Sequence, residues 1–139
     1  METPARHLLF HGGVVLLIGL LAGFPFGRAV AWGRGEDKIR AWRVAHSALS
    51  MGATTMIAVA IILSALAVGP AVKWIVSASY IVCGYGFSIA LTLGPVVGHR
   101  GITPAPPAAN QVVFAGNFLG VVGSLIGTLA FLYAAAVSL

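Results

Sequence analysis

Two histidines sit inside long apolar stretches of this 139-residue chain: His11 near the start of the first and His46 near the start of the second. Those stretches hold no carboxylate, since the only acids are Glu2, Glu36 and Asp37, in the N-terminal tail and one loop. Chemistry inside the apolar region must therefore run on imidazole, amide and hydroxyl groups. Ser50 and Thr54 follow His46 at four-residue steps and share its helix face. Asn110, Gln111 and Asn117 open the last stretch, and Tyr85, Ser88 and Thr92 occupy the later half of the third. Polar side chains in hydrocarbon face partners or a cavity, so these are expected to converge on one pocket opening to the cytoplasm. Such a set suits a bound metal or haem better than a proton-driven pump, which keeps an ionisable group at the bilayer midplane.

The elements that must position these groups are membrane spans. The chain is 59% hydrophobic and 8% charged, against about 25% charged in soluble domains. A span needs ~20 apolar residues, and four runs qualify, near 8–27, 44–68, 72–94 and 112–138. The expected fold is all-α, a single integral membrane domain over residues 1–139: a four-helix bundle with both termini on the same side. The first run has features of a signal peptide, with Arg6 before it and Ala29-Val30-Ala31 after it. Arg28 interrupts the approach to that site, so the run is read as a retained span.

The formal net charge is +5, yet the basic residues lie beside the spans, not in an aromatic-lined groove, which argues against nucleic acid as a partner. Arg28, Arg34, Lys38, Arg40, Arg43 and Arg100 flank loops one and three, whereas Arg6 and Lys73 lie on the other side. The positive-inside rule puts those two loops in the cytoplasm of a bacterial inner (cytoplasmic) membrane, with the lipid bilayer as surroundings. Cys83 is alone, so there is no disulfide framework.

Gly19, Gly23 and Gly27 recur every four residues, as do Gly116, Gly120 and Ser124, patterns that let helix backbones approach closely. Pro25 is expected to bend or end the first span. Gly69-Pro70 marks a tight turn. The proline-rich stretch Thr103-Pro104-Ala105-Pro106-Pro107 is a stiff loop, either lid or connector. From the helical rise, His11 and His46 are separated by roughly 20 Å along the membrane normal. One iron could not take both imidazoles; a single axial histidine stays open. A lone membrane histidine is either a ligand or a hydrogen-bonded packing residue, and its surroundings in sequence leave both open. His11, followed by Gly12-Gly13, is read as structural.

The segment Trp42-Arg43-Val44-Ala45-His46-Ser47, followed by Met56-Ile57-Ala58-Val59-Ala60, resembles the second span of the styrene oxide isomerases. Phe10-His11-Gly12 and Arg100-Gly101-Ile102-Thr103 fit the same pattern. Leu8-Leu9-Phe10-His11-Gly12 and the chain length also look like hydroxylaminobenzene mutase. The resemblance implies that His46 is the axial ligand of ferric haem b and that the protein is a homotrimer holding haem near the subunit boundary; Thr54, on the His46 face of the helix, is expected to line the cofactor with it. An asparagine of the family's substrate pocket falls on Gly52 here, and a tyrosine of that pocket falls on Leu91.

These departures turn the expectation toward an isomerase (mutase) converting an arylhydroxylamine such as hydroxylaminobenzene into an aminophenol. Ferric iron would act as a Lewis acid. Asn117, with Ser50 or Tyr85, would orient the migrating hydroxyl. Asn110 and apolar walls from Phe87, Phe114 and Phe118 would hold the small aromatic substrate. The alternatives are isomerisation of an aryl epoxide to an aldehyde, as in styrene oxide isomerase, and a non-enzymatic haem-binding or structural membrane subunit.

Overall fold

The computed structural model describes every residue from Met1 to Leu139. It is all-helical: α1 (Thr3–Leu21), α2 (Gly23–Ala31), α3 (Glu36–Leu63), α4 (Pro70–Val97) and α5 (Ala108–Val137). Together α1 and α2 make one crossing, so four helical segments are long and apolar enough to span a membrane. The chain is a multi-pass membrane protein. The break at Ala22 between α1 and α2 follows from Pro25, which offers no N–H to the Leu21 carbonyl four residues back and crowds it with its ring.

The helix ends have local causes. Glu36 and Asp37 occupy the first turn of α3, where carboxylates complement the exposed N–H groups and the helix dipole. Pro70 begins α4 at a position that needs no N–H donor. Gly98 ends it in the left-handed conformation with φ 74°. The second span stops earlier than its composition suggests: α3 ends at Leu63, and residues 64–69 form the turn, not the last helical residues.

Packing is uneven. Helices α1, α3 and α4 contact one another, whereas α5 contacts α4 alone. The core shared by the first three is built from Leu8, Val15, Leu49, Ala53, Met56, Val76 and Tyr80. Large apolar side chains such as Leu17, Met51, Leu125 and Leu129 are exposed on the outer faces, where lipid replaces water as solvent. At the α4–α5 contact the close approach comes from Gly116, Gly120, Gly123 and Gly127, opposite Gly86, Phe87, Ser79, Tyr80 and Cys83. The small-residue stripe thus runs through Gly123 and Gly127 and bypasses Ser124.

Both chain ends meet the 64–69 turn. The Glu2 backbone N–H donates to Ser64 Oγ, and the Ala67 N–H donates to Ser138 Oγ at 2.8 Å. Lys73, only 5% exposed, pairs with Glu2 at 2.7 Å, and Ser77 Oγ donates to the Pro4 carbonyl at 2.9 Å. An acid read from the sequence as part of a tail is in fact the partner of a buried lysine.

Candidate functional site

His46 lies at the crossing of α1 and α3. Its Nδ1 is 2.9 Å from the Gly19 carbonyl oxygen, and a carbonyl can only accept, so Nδ1 carries the proton. Nε2 makes no hydrogen bond, and in the neutral ring with the proton on Nδ1 it is the nitrogen that carries the lone pair. Gly23 leaves room for the ring, since a Cβ there would meet His46 Nδ1 at 3.3 Å. Phe26 of α2 lies nearly parallel to the imidazole, 6.4 Å away between centroids. The Arg43 guanidinium rests over Phe26 at 5.7 Å. Arg43 is three residues before His46 on the same helix face, and it has no acidic partner.

A half-buried imidazole with one nitrogen held by a backbone carbonyl and the other carrying a free lone pair is the arrangement of metal-binding histidines. The residues present therefore fit a single axial ligand. No group of three or more His, Cys, Asp or Glu gathers anywhere in the fold, so a bare ion held by several side chains has no site here.

The expected convergence of polar groups on His46 does not occur. Ser50 is beside it, but Ser50 Oγ is buried against Gly19 and has no hydrogen-bond partner. Thr54 Oγ1 donates to the Ser50 carbonyl at 2.9 Å and is exposed. Tyr85 pairs with His11 instead, OH to Nδ1 at 2.8 Å, across α1 and α4. Ser88 and Thr92 donate back to their own helix, at 2.7 Å each. The reason is general: a hydroxyl in a helix reaches the carbonyl one turn back more cheaply than a partner across a gap. His46 is level with Gly19, eight residues along α1 from His11, about 12 Å by helical rise, which is less than the expected separation.

The two asparagines hold a loop. Asn110 Oδ1 accepts from the Gly101 N–H at 3.2 Å, and its Nδ2 donates to the Thr103 and Ala105 carbonyls at 2.9 and 2.8 Å. Asn117 Nδ2 donates to the Arg100 and Gly101 carbonyls. Gly101 is buried with φ +58°, and a Cβ there would meet Phe114 N at 2.5 Å. The proline-rich segment is thus latched onto α5 as a fixed cover. Phe114 and Phe118 stack on each other with centroids 6.2 Å apart and line neither cavity described below.

A cavity does exist, on the other flank of α3. Because α3 and α5 do not touch, α4 floors an apolar cleft of about 420 Å³ between them. Val44, Ala48, Gly52 and Thr55 form one wall, Phe87 and Leu91 the floor, and Ser124 the other side. Val44 and Ala48 are each two residues from His46, hence about 200° round the helix from it. Gly52 and Leu91, the positions where the resembling family carries polar pocket residues, both line this cleft. The cleft hydroxyls are spent: Thr55 donates to Met51 O, Ser124 to Val121 O, and Tyr80 pairs with Thr128. Val44 and Leu91 also border a second cavity of about 570 Å³ at the charged end, near Lys38, Arg40, His99 and Arg100.

Sequence reasoning missed three residues beside His46: Gly19, Phe26 and Arg43. Only Arg43 carried a signal, its spacing of three from the histidine. Gly19 was legible as a packing residue, but nothing in a sequence reveals which carbonyl a histidine will find.

The family model for styrene oxide isomerase matches residues 4–136, almost the whole chain. No individual curated protein matches it significantly. With a match of that extent on a four-span helical fold, the chain belongs to the styrene oxide isomerase family, and its class of activity is isomerisation.

Proposed function

We propose that this protein is a haem-b-dependent membrane isomerase that converts a small aryl epoxide into the isomeric aldehyde. The observation that carries the reading is the His46 imidazole, pinned through Nδ1 with Nε2 open. His46 would hold the iron, Gly19 would orient the ring through its carbonyl, and Arg43 would supply a cation for the propionates. When bound, ferric haem supplies a Lewis acid that draws electron density from the substrate oxygen.

The chain's own residues account for the outcome. The cleft of Ala48, Met56, Phe87 and Leu91 takes an arene by burial alone, worth about 25 cal/mol per Å² of apolar surface. It offers no carboxylate to activate water, and its hydroxyl protons are already donated or paired within the protein. An electron-poor carbon opened there is shielded from hydration, so the ring-opened substrate rearranges within itself and is not hydrolysed to a diol. The membrane surroundings suit a substrate that partitions into lipid.

His46 and the Val44–Ala48 wall of the cleft lie on opposite flanks of α3, so the histidine of one chain can be brought to the cleft of another. Two different patches that complete each other close a cyclic oligomer head to tail. This supports a homo-oligomer, a trimer by family resemblance, in which the histidine of one subunit serves the cleft of the next.

A second reading is the arylhydroxylamine mutase. It is favoured by Gly52 and Leu91, which leave the cleft without the polar groups the family pattern has there. Detergent-purified protein incubated separately with styrene oxide and hydroxylaminobenzene, with products identified by chromatography, decides the order. Phenylacetaldehyde from the epoxide is the expected result, and aminophenol alone would reverse it. The His46→Ala variant should lose the Soret band and at least ~99% of the activity, in keeping with the loss of a metal site. A colourless wild-type protein, or a band that survives in that variant, would remove haem from the account.

A further inference from the structure

We infer that Gly19 is the positioning residue for His46: by lacking a side chain, it brings its own carbonyl within reach of the imidazole. The inference rests on the haem reading above and concerns the residue that sets the ligand.

Gly19 is buried where α1 crosses α3. A Cβ built on it would lie 2.9 Å from the backbone nitrogen of Ser50, 3.0 Å from Leu49 Cβ and 3.0 Å from Ser50 Oγ. A side-chain end could turn away from such a contact. A main-chain nitrogen in the middle of α3 cannot, so any other residue must push the two helices apart. The Gly19 carbonyl is what His46 Nδ1 reaches, at 2.9 Å, and a shift of several tenths of an ångström takes the bond to or past the long edge of its range and weakens it. The Gly19 carbonyl is the one partner His46 Nδ1 has, and the neighbouring Ser50 Oγ makes no hydrogen bond to the ring. Freed at Nδ1, the ring can turn and exchange tautomers, and the proton can move to Nε2, the nitrogen that would bind iron. A carbonyl on Nδ1–H also raises the basicity of the ligating nitrogen, and loss of such partners costs 10–100-fold in metal affinity.

Gly12 provides the control. It lies on the same helix and the same α1–α3 contact, where a Cβ would meet Ile57 Cγ1 at 3.1 Å and Met56 Cβ at 3.2 Å. It is seven residues from Gly19 and supplies nothing to His46. Gly12→Ala therefore loosens the crossing without touching the ligand.

The experiment compares wild type, Gly19→Ala, Gly12→Ala and His46→Ala in detergent, reading the Soret band and the rate of haem transfer to apomyoglobin. Gly19→Ala should lose haem on the order of 10-fold faster than wild type and show a shifted or split Soret band. Gly12→Ala should stay within about twofold, by its distance from the ring. Equal effects of the two glycine variants overturn the inference, because they reduce Gly19 to packing. A wild-type spectrum in Gly19→Ala overturns it as well, while loss of the band in His46→Ala leaves the haem reading standing. If Gly19→Ala does not fold, the iron–histidine stretch of the reduced wild-type protein decides. A frequency raised by a hydrogen bond at Nδ1 supports the assignment, and that of a free imidazole overturns it.

Discussion

Two glycine-lined contacts in this molecule look alike in sequence and behave differently. At α4–α5, glycines face backbone and ring atoms along several turns, with Gly86 against Gly116 and Gly120 against Phe87. Ser88 and Ser124 return their hydroxyls to their own helices and Tyr80 pairs across with Thr128, so this contact binds α5 to α4. At α1–α3, a single close approach at Gly19 leaves a carbonyl facing a side chain that can use it. Small residues make proximity in both places. What proximity achieves depends on the residue standing opposite: a backbone gives packing, and an imidazole gives a fixed ligand.

Substituting each contact should separate them. Gly86→Ala places a methyl 2.7 Å from Gly116 O and 2.8 Å from Gly120 N, both main-chain atoms that cannot retreat. Overpacking of this kind costs about 1–3 kcal/mol, with more where backbone must move. The expected result is a lower unfolding temperature in detergent and faster proteolysis of α5. The Soret band should be unmoved, since α5 does not contact α1, α2 or α3. A band lost in parallel with stability would erase the distinction between the two contacts.

Asn110→Ala should act next most strongly. It removes three hydrogen bonds that hold residues 101–105 to α5, and leaving the N–H of buried Gly101 without a partner costs about 1–3 kcal/mol. Limited proteolysis should then cut the proline-rich loop, while haem retention stays as in wild type. Resistance of the loop to cleavage would mean that Gly101 and Asn117 suffice to latch it.

The smallest effect is expected from Lys73→Met, which breaks the ion pair with Glu2. The lysine is buried but Glu2 is half-exposed, so the cost should be about 1 kcal/mol, near that of a surface pair. It should register as fraying of the α1 N-terminus by hydrogen exchange, with both glycine contacts unaffected. Destabilisation as large as that of Gly86→Ala would show that the chain ends carry more of the fold than either crossing.

Much of this architecture was readable from composition. Spans long enough for hydrocarbon, Pro25 as the cause of a bend, and glycines every four residues follow from local rules that need no partner. The family pattern around His46 was equally legible. Placement of the polar groups was not. Tyr85 was expected near His46 and pairs with His11, because rotation of α4 about its axis is set by its glycines seating against α5 and its core residues against α1 and α3. Asn110 and Asn117 share a helix face, as their spacing requires, and both amides bond the 100–105 loop, with Asn117 also bordering the cavity at the charged end.

The sequence alone determined how many times this chain crosses a membrane, where its charges lie and which histidine carries the family pattern, since hydropathy, helical period and motif are properties of neighbours along the chain. Only the tertiary structure decided that the Gly19 carbonyl, not a side chain, holds His46, and that the apolar cleft opens on the far flank of α3. Both depend on which faces of distant helices pack together, and that is set by the fit of many side chains at once.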